Sequence, residues 1–195
     1  MCEKCAEGME YYNNSINFLS LPENLEIYCD GIVCVGRYTD SLKNSLKRFK
    51  FSDKSSYYRA FGKLLALKVQ NTLKPEEIDL ILPVPLHRSR KKQRGYNQAG
   101  LIADCVARTL NIPVKTSILT KTSESQSQSA LGRKERLFNL EGAFDITVPE
   151  AVFNKNILLI DDIITTGSTV NQCSKVLKQA GAARVMAGVV ATTRK

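Results

Sequence analysis

The sequence predicts an α/β fold in which a mostly parallel, twisted sheet is flanked by helices. Apolar segments of strand length alternate along the chain with longer segments of helical periodicity. Residues 157–160 (Ile-Leu-Leu-Ile) are continuously apolar, as expected for a strand that is covered on both faces. The polar residues 165–169, rich in Thr and Ser, then open a helical segment.

The individual elements follow from apolar spacing, with Gly, Pro and Asn as breakers. Apolar runs with polar borders predict strands, in order, at 31–38, 78–84, 114–119, 143–146, 157–162 and 184–191. Apolar side chains three or four positions apart predict helices, in order, at 41–49, 57–72, 96–110 and 169–180. Pro83 and Pro85 close the second strand, and Gly181 ends the last helix.

Two segments lack such a pattern. Residues 1–28 are polar and interrupted by breakers, and residues 120–139 are Ser/Gln-rich, basic and predicted to be mobile. We therefore divide the chain into a short N-terminal extension at residues 1–29 and one α/β domain at residues 30–195.

The composition is that of an ordinary globular protein, with 195 residues, 43% apolar, 24% charged and a net charge of +9. No apolar stretch approaches the ~20 residues that span a bilayer, and the N-terminus lacks a signal-peptide pattern. We expect a cytoplasmic protein without a membrane span. The charge suits polyanions such as diphosphate ligands or nucleic acid, although the basic runs at 43–54 and 88–94 also fit solvated loops.

The acidic pair Asp161 and Asp162 is expected at the carboxyl end of a parallel strand, where such sheets bind ligands. N–H groups at the start of the following helix are unpaired and the helix dipole favours an anion, so the loop predicts a phosphate cradle. The carboxylates would accept hydrogen bonds from two vicinal hydroxyls, which indicates a ribose 5-phosphate group. The alternative is a buried strand with an Asp-rich turn and an ordinary capped helix.

This stretch resembles the phosphoribosyl diphosphate (PRPP) motif of type I phosphoribosyltransferases. The resemblance implies that Asp161 and Asp162 contact the ribose 2′- and 3′-hydroxyls and are the catalytic candidates. It implies PRPP binding by the residues that follow, Ile163, Thr165, Thr166, Gly167, Ser168 and Thr169. Mg²⁺ would bridge diphosphate and ribose oxygens, because it prefers phosphate oxygens to an all-protein cage.

A second anion site is predicted where the strand at 78–84 enters the basic run. Arg suits bidentate phosphate contacts, and Gly95 permits close approach of the backbone. The diphosphate-binding candidates are Pro85, Leu86, His87, Arg88, Arg94 and Gly95. A basic surface loop is the alternative.

A third segment, residues 125–144, has the character of a flexible hood. It could close over a reactive diphosphate and exclude water, whereas the alternative is a disordered surface loop. Its anchors are Ser125, Gln128, Leu131, Arg136, Asn139 and the turn Gly142-Ala143-Phe144.

Three features together resemble the ComF family of competence proteins over residues 30–195: the P-x-P strand end, the R-G-Y-N-Q segment at 94–98 and the hood pattern. The resemblance implies a protein that supports the uptake of transforming DNA, with single-stranded DNA and other competence proteins as partners. Lys121 and Ser123 stand where the family usually has Arg, which weakens an inferred diphosphate contact from the hood.

Cys2 and Cys5 form a C-x-x-C pair, and a structural zinc site needs four ligands. Cys29 and Cys34 are the possible complement, although Cys34 lies in a predicted strand and fits a buried apolar role. The ComF resemblance implies the remnant of a zinc ribbon, of which one pair is present. Cys105 and Cys173 lie on helical faces and are expected in the core.

Three functions stay open. The first is a PRPP-binding competence protein that holds DNA along basic patches, with Tyr57, Tyr58 or Tyr96 as stacking platforms. The second is an active phosphoribosyltransferase on a nucleobase or similar acceptor, with the acidic pair near an oxocarbenium-like transition state. The third is a ligand-sensing regulator, which ranks last because no helix-turn-helix region stands out.

Overall fold

The computed structural model describes residues 10–11, 26–51, 56–122 and 142–193. The strands are β1 (Gly31–Arg37), β2 (Leu80–Pro83), β3 (Leu119–Lys121), β4 (Phe144–Ile146), β5 (Asn156–Ile164) and β6 (Arg184–Thr192). The helices are α1 (Asp40–Phe51), α2 (Tyr57–Thr72), α3 (Arg88–Arg94), α4 (Gln98–Leu110) and α5 (Ser168–Gln179), and short 3₁₀ turns lie at Pro75–Glu77 and Pro149–Ala151.

The central sheet consists of four parallel strands in the order β1-β6-β5-β2. β5 is an inner strand, and its four apolar residues at 157–160 are at most 2% exposed. Burying such a side chain stabilises the fold by roughly 1.5–3 kcal/mol. The apolar run that is visible in the sequence is therefore the centre of the core. The predicted α/β fold with a mostly parallel sheet is confirmed.

The sheet separates two hydrophobic cores. On one face, Ile157 and Leu159 pack with α5 and with the antiparallel β3–β4 pair, and we call this the α5-side core. On the other face, Leu158 and Ile160 pack with α1, α2 and α4, and we call this the α1-side core. Because side chains of a strand alternate between its faces, Asp161 and Asp162, the next two residues of β5, enter different surroundings.

The strand predicted at 114–119 is wrong. Val114 makes a single bridge to Ile81, and the chain then leaves the central sheet. Pairing resumes at Leu119, which lies opposite Ile146 of β4. Consequently Thr120 and Lys121, which the sequence placed in a mobile segment, belong to a strand. The division of the chain at residue 29 stays a prediction.

None of the helices in the described ranges combines the length and the apolar character that crossing a membrane requires.

Candidate functional site

The two carboxylates of the acidic pair lie on opposite faces of β5. Asp161 is close enough to Cys173 of α5 for their charges to interact, whereas Asp162 contacts α1. Asp161 keeps partial solvent contact, and Asp162 is 6% exposed. The strand continues beyond the pair to Ile164. A ligand that touches both carboxylates therefore has to reach both faces of the strand.

Asp162 is held by a lysine of α1. Nζ of Lys50 lies 2.9 Å from Oδ2 of Asp162, and the Lys50 side chain is 23% exposed. A buried carboxylate is strongly unfavourable unless an opposite charge or hydrogen bonds compensate for the lost hydration. The ion pair with Lys50 explains how the α1-side core accommodates this group.

Asp161 has a different electrostatic balance. Burial, together with the adjacent charge of Asp162, raises the pKa of Asp161 from 3.8 to about 7. Lys50, Lys121 and a hydrogen bond act in the opposite direction, the last donated by the Asp162 N–H to Oδ1 at 2.8 Å. Asp161 is thus a carboxylate that titrates near neutral pH, beside a carboxylate that is fixed by an ion pair.

The loop after β5 leads into the N-terminus of α5, where the Ser168 N–H donates to Oγ1 of Thr166 at 3.4 Å. Gly167 has a φ of +88° and precedes Ser168, the first residue of α5. As a glycine it tolerates this left-handed backbone, and it has no side chain to bond the N–H groups of the first turn. The hydroxyls of Thr166 and Ser168 lie 2.7 Å apart. This arrangement of N–H groups and hydroxyls fits the predicted phosphate cradle.

The predicted diphosphate segment forms a short helix, α3, and not a loop. His87 caps α3, because its Nδ1 accepts a hydrogen bond from the Ser89 N–H at 3.4 Å. Gly95 ends α3 with a φ of +79°, and its N–H donates to the carbonyl of Lys91 at 2.8 Å. A Cβ at Gly95 would meet nothing within 4 Å, so the backbone angle requires the glycine and crowding does not.

The start of α4 carries a buried donor. Gln98 is 3% exposed, and its Oε1 accepts a hydrogen bond from Nη1 of Arg94 at 3.3 Å. Its Nε2 has no hydrogen-bond partner within the described part of the chain. Asn97 fixes this segment to the end of β2 by donating to the carbonyl of Val84 at 3.0 Å. An unpaired buried donor costs roughly 1–3 kcal/mol, so Gln98 fits a ligand oxygen beside Arg94.

Lys121 of β3 lies near charged groups of two other elements, Arg90 of α3 and Asp161 of β5. Burial lowers the pKa of Lys121 on β3, and the nearby charge of Arg90 on α3 lowers it further. The charge of Asp161 acts in the opposite direction on Lys121. Lys121 is thus a half-buried lysine between a positive and a negative group.

The structure brings together part of the predicted set. The acidic pair lies near the carboxyl end of β5 and residues 165–169 follow that strand, whereas Pro85, Leu86, Arg88, Arg94 and Gly95 follow β2, the neighbouring strand. Ile163 packs against the α1-side core and contributes its backbone to β5. The hood candidates Ser125, Gln128, Leu131, Arg136 and Asn139 lie outside the described residues.

The sequence did not indicate Lys50 as a site residue, and it indicated Arg90 only as part of the basic run at 88–94. Both belong to basic runs, and a basic run has the same appearance in a sequence whether it is solvated or faces a site. A usable signal existed only for Arg90, because it lies between the predicted candidates Arg88 and Arg94.

Cys29 and Cys34 are buried free thiols, 3% and 2% exposed. Burial raises the pKa of both, that of Cys34 to about 12. Zinc binds the thiolate, so these two residues fit the core role better than a metal site. Burial of Cys105 and Cys173 confirms their predicted place in the core. The zinc site at Cys2 and Cys5 lies outside the described residues and stays a prediction.

The three tyrosines considered for DNA stacking pack against the α1-side core. The Tyr96 hydroxyl donates to the carbonyl of Phe49 at 2.6 Å, and the Tyr57 ring stacks on Phe61 with centroids 6.0 Å apart. Core packing accounts for these contacts, and a stacking role for Tyr57, Tyr58 or Tyr96 stays a prediction.

Mg²⁺ is the metal that the PRPP motif implies. Each carboxylate of the pair already has a lysine near it, Lys50 for Asp162 and Lys121 for Asp161. These positive charges compete with a cation for the carboxylates. The site therefore fits a Mg²⁺ ion that is carried by the oxygens of a phosphorylated ligand, while the protein holds the ligand.

Comparison with known proteins assigns the chain to a family. A family model described as the phosphoribosyl transferase domain matches residues 57–195. Competence protein F of Haemophilus influenzae is 35% identical over 185 residues, which cover 92% of this chain and 79% of that protein. Competence protein ComFC of Bacillus subtilis is 33% identical over 146 residues, which cover 75% of this chain and 57% of that protein. DNA utilization protein YhgH of Escherichia coli K12 is 32% identical over 157 residues, which cover 79% of this chain and 68% of that protein.

Two solved structures share the fold. One is the glutamine PRPP amidotransferase of B. subtilis complexed with ADP and GMP, with a TM-score of 0.50, 20% identity, and coverage of 73% of this chain and 30% of that one. The other is an allosteric regulatory enzyme of purine biosynthesis, with a TM-score of 0.51, 20% identity, and coverage of 74% and 30%. At this identity the likeness shows the fold alone. The domain match and the relatives identify the chain more narrowly: it belongs to the ComF family of competence proteins, within the type I phosphoribosyltransferase superfamily.

Proposed function

We propose that this ComF-family protein binds PRPP with Mg²⁺ at the carboxyl end of β5 and supports the uptake of transforming DNA. One observation carries the proposal: a single strand–loop–helix unit presents the acidic pair and then the N-terminus of α5, which no N-cap side chain closes. The names of the relatives, competence protein F and ComFC, support the physiological part. A cytoplasmic location and contacts with other competence proteins belong to the same proposal.

In the proposed complex the 5′-phosphate accepts hydrogen bonds from the first-turn N–H groups of α5 and from the hydroxyls of Thr166 and Ser168. The ribose hydroxyls donate to Asp161 and Asp162. Because these carboxylates lie on opposite faces of β5, the sugar lies across the end of the strand.

The diphosphate lies toward Lys121 and Arg90, and toward Arg94 in the segment that follows β2. Mg²⁺, when bound, neutralises part of the diphosphate charge. The described residues then have separate tasks: the α5 end holds one phosphate, the acidic pair orients the sugar, and the basic groups hold the diphosphate.

Thermal unfolding with and without PRPP and MgCl₂ tests the proposal. A ligand at about 100 times its Kd stabilises a protein by roughly 2.7 kcal/mol. We expect this stabilisation for the wild type and for the control variant Glu150→Gln, which changes an exposed residue of the 3₁₀ turn at Pro149–Ala151. We expect none for the double variant Asp161→Asn/Asp162→Asn, with each protein compared with its own ligand-free state. A folded wild type without a shift would overturn the proposal.

The DNA part of the proposal is supported by charge. The chain has a net charge of +9, and exposed basic residues lie along α3 and α1. Contacts with phosphates release counterions, so the affinity for a single-stranded oligonucleotide should fall steeply between low and physiological salt. Binding that is absent, or that does not respond to salt in an electrophoretic or anisotropy titration, would overturn this part.

One observation favours a second candidate, an active phosphoribosyltransferase on a nucleobase or similar acceptor. Lys121 places positive charge near Asp161, with Arg90 next to Lys121, where a leaving diphosphate needs it. In that reaction the C1–O bond of PRPP breaks and its electron pair leaves on diphosphate. The lone pair of an acceptor nitrogen forms the new bond to C1, and the proton of that nitrogen passes to solvent. Asp161 and Asp162 would stabilise the oxocarbenium-like transition state.

Release of diphosphate separates the two candidates. Release that depends on an added nucleobase, and that is lost in the double Asn variant, favours the enzyme. PRPP binding without release in the presence of any common nucleobase favours the binding protein.

A further inference from the structure

Lys50 contacts the site from outside the part of the chain that carries the family match. The matched domain begins at residue 57, whereas Lys50 lies near the end of α1. Its Nζ nevertheless reaches Oδ2 of Asp162 at 2.9 Å, in the α1-side core. The contact is made by one of the two carboxylate oxygens, Oδ2.

The end of α1 is fixed in place by its neighbours. Phe49 is fully buried, and its ring contacts those of Phe61 and Tyr96 at centroid distances of 5.6 and 5.9 Å. The Tyr96 hydroxyl donates to the Phe49 carbonyl at 2.6 Å. Tyr96 lies in the short segment between α3 and α4. Two consecutive residues of α1 therefore contact the two parts of the proposed site, Phe49 the segment after α3 and Lys50 the carboxylate on β5.

We infer that Lys50 is a positioning residue that holds the Asp162 carboxylate in the orientation in which it meets the ribose hydroxyls. This inference rests on the proposed PRPP site and adds α1 to it. Lys50 fixes one oxygen of this carboxylate, Oδ2. The geometry of a binding group depends on such supporting contacts, because an unsupported carboxylate would adopt several rotamers.

The alternative role for Lys50 is direct contact with a phosphate of the ligand, and a double-mutant cycle separates the two. If Lys50 acts through Asp162, its removal matters only while Asp162 is present. If Lys50 contacts the ligand itself, its removal weakens binding in either background.

The experiment measures the Kd for PRPP with Mg²⁺ by isothermal titration calorimetry. The variants are Lys50→Met, Asp162→Asn, their combination and Lys50→Arg. Lys47→Met, an exposed lysine on the same helix, is the matched control, and Lys50→Gln replaces Lys50→Met should the latter not fold. Removing a supporting partner of a ligand-binding group typically weakens binding about 10- to 100-fold, and we expect this range for Lys50→Met.

In the Asp162→Asn background we expect Lys50→Met to change the Kd by less than about threefold, because the group it positions is already altered. Lys50→Arg should recover most of the affinity, which a role in packing alone would not predict. Equal losses in both backgrounds, or a Kd for Lys50→Met that matches Lys47→Met, would overturn the inference while the PRPP site stands. A wild type that binds no PRPP would overturn the proposed function, and this inference with it.

Discussion

Neutralising the two adjacent carboxylates should change stability in opposite directions. Asp161 has a pKa that is raised from 3.8 to about 7 in the folded protein. Such a group favours the fold while it is protonated: this contribution is complete below pH 3.8 and is lost as the pH rises through 7. At about 1.36 kcal/mol per pKa unit, ionisation of Asp161 lowers the free energy of unfolding by at most on the order of 4 kcal/mol.

Asp161→Asn removes that cost and keeps an oxygen that accepts the Asp162 N–H. Because Asp161 has partial solvent contact, we expect about half of the maximum, roughly 2 kcal/mol of added stability above pH 7. The gain should shrink toward pH 4, where the wild-type carboxyl is itself protonated.

Asp162→Asn has the opposite sign because it breaks the 2.9 Å ion pair and leaves Lys50 without its partner. Removing one member of a fully buried pair costs about 3–5 kcal/mol. Lys50 is 23% exposed and can recover part of its hydration, so we expect a loss of about 1–3 kcal/mol.

Urea unfolding of the ligand-free protein at pH 5 and pH 8 measures these differences. Glu150→Gln is the control and should stay within about 0.5 kcal/mol of the wild type at both values. Asp161→Asn should gain more at pH 8 than at pH 5, and Asp162→Asn should lose stability at both. The electrostatic reasoning is refuted if both variants lose stability at pH 8, or if the gain of Asp161→Asn does not depend on pH.

Two further predictions concern packing and thiol reactivity. Gly62→Ala should destabilise the protein by about 1–3 kcal/mol in urea unfolding, because a Cβ there would collide with Cβ of Cys105 where α2 packs on α4. Gly100→Ala, whose Cβ would make an ordinary 3.5 Å contact, is the matched control, and an equal loss in both variants would contradict the packing argument. The buried thiols of Cys34 and Cys173, whose pKa values burial raises, should resist iodoacetamide at pH 8 until the protein unfolds. Mass spectrometry that finds either residue alkylated in the folded protein would contradict their burial.

The unit formed by β5 and α5 could be predicted because its signals are local. A continuous apolar run specifies a strand that is buried on both faces, and Ser, Thr and Gly mark the helix start. The signals of α3 are weaker, because its seven polar residues have no apolar face. In the sequence, only the capping residues at its two ends, His87 and Gly95, mark its boundaries.

The remaining features depend on contacts between distant parts of the chain. Residues 114–119 contain apolar and β-branched side chains, but whether they form a strand depends on a partner. The central sheet offers one pairing position, at Ile81, before the chain turns toward β4. The partner of Asp162 likewise comes from another element, and a sequence does not reveal which lysine of a basic run faces inward.

The position of the acidic pair on opposite faces of β5 makes it sensitive to register. Inserting or deleting one residue earlier in the strand would turn each carboxylate to the other face. The first would then face Lys50, and the second would face α5. The two letters of the motif would be unchanged, yet each acid would have exchanged its electrostatic surroundings for those of its neighbour. Transferring the motif to another scaffold would therefore reproduce its chemistry only with a lysine on the correct side of the strand.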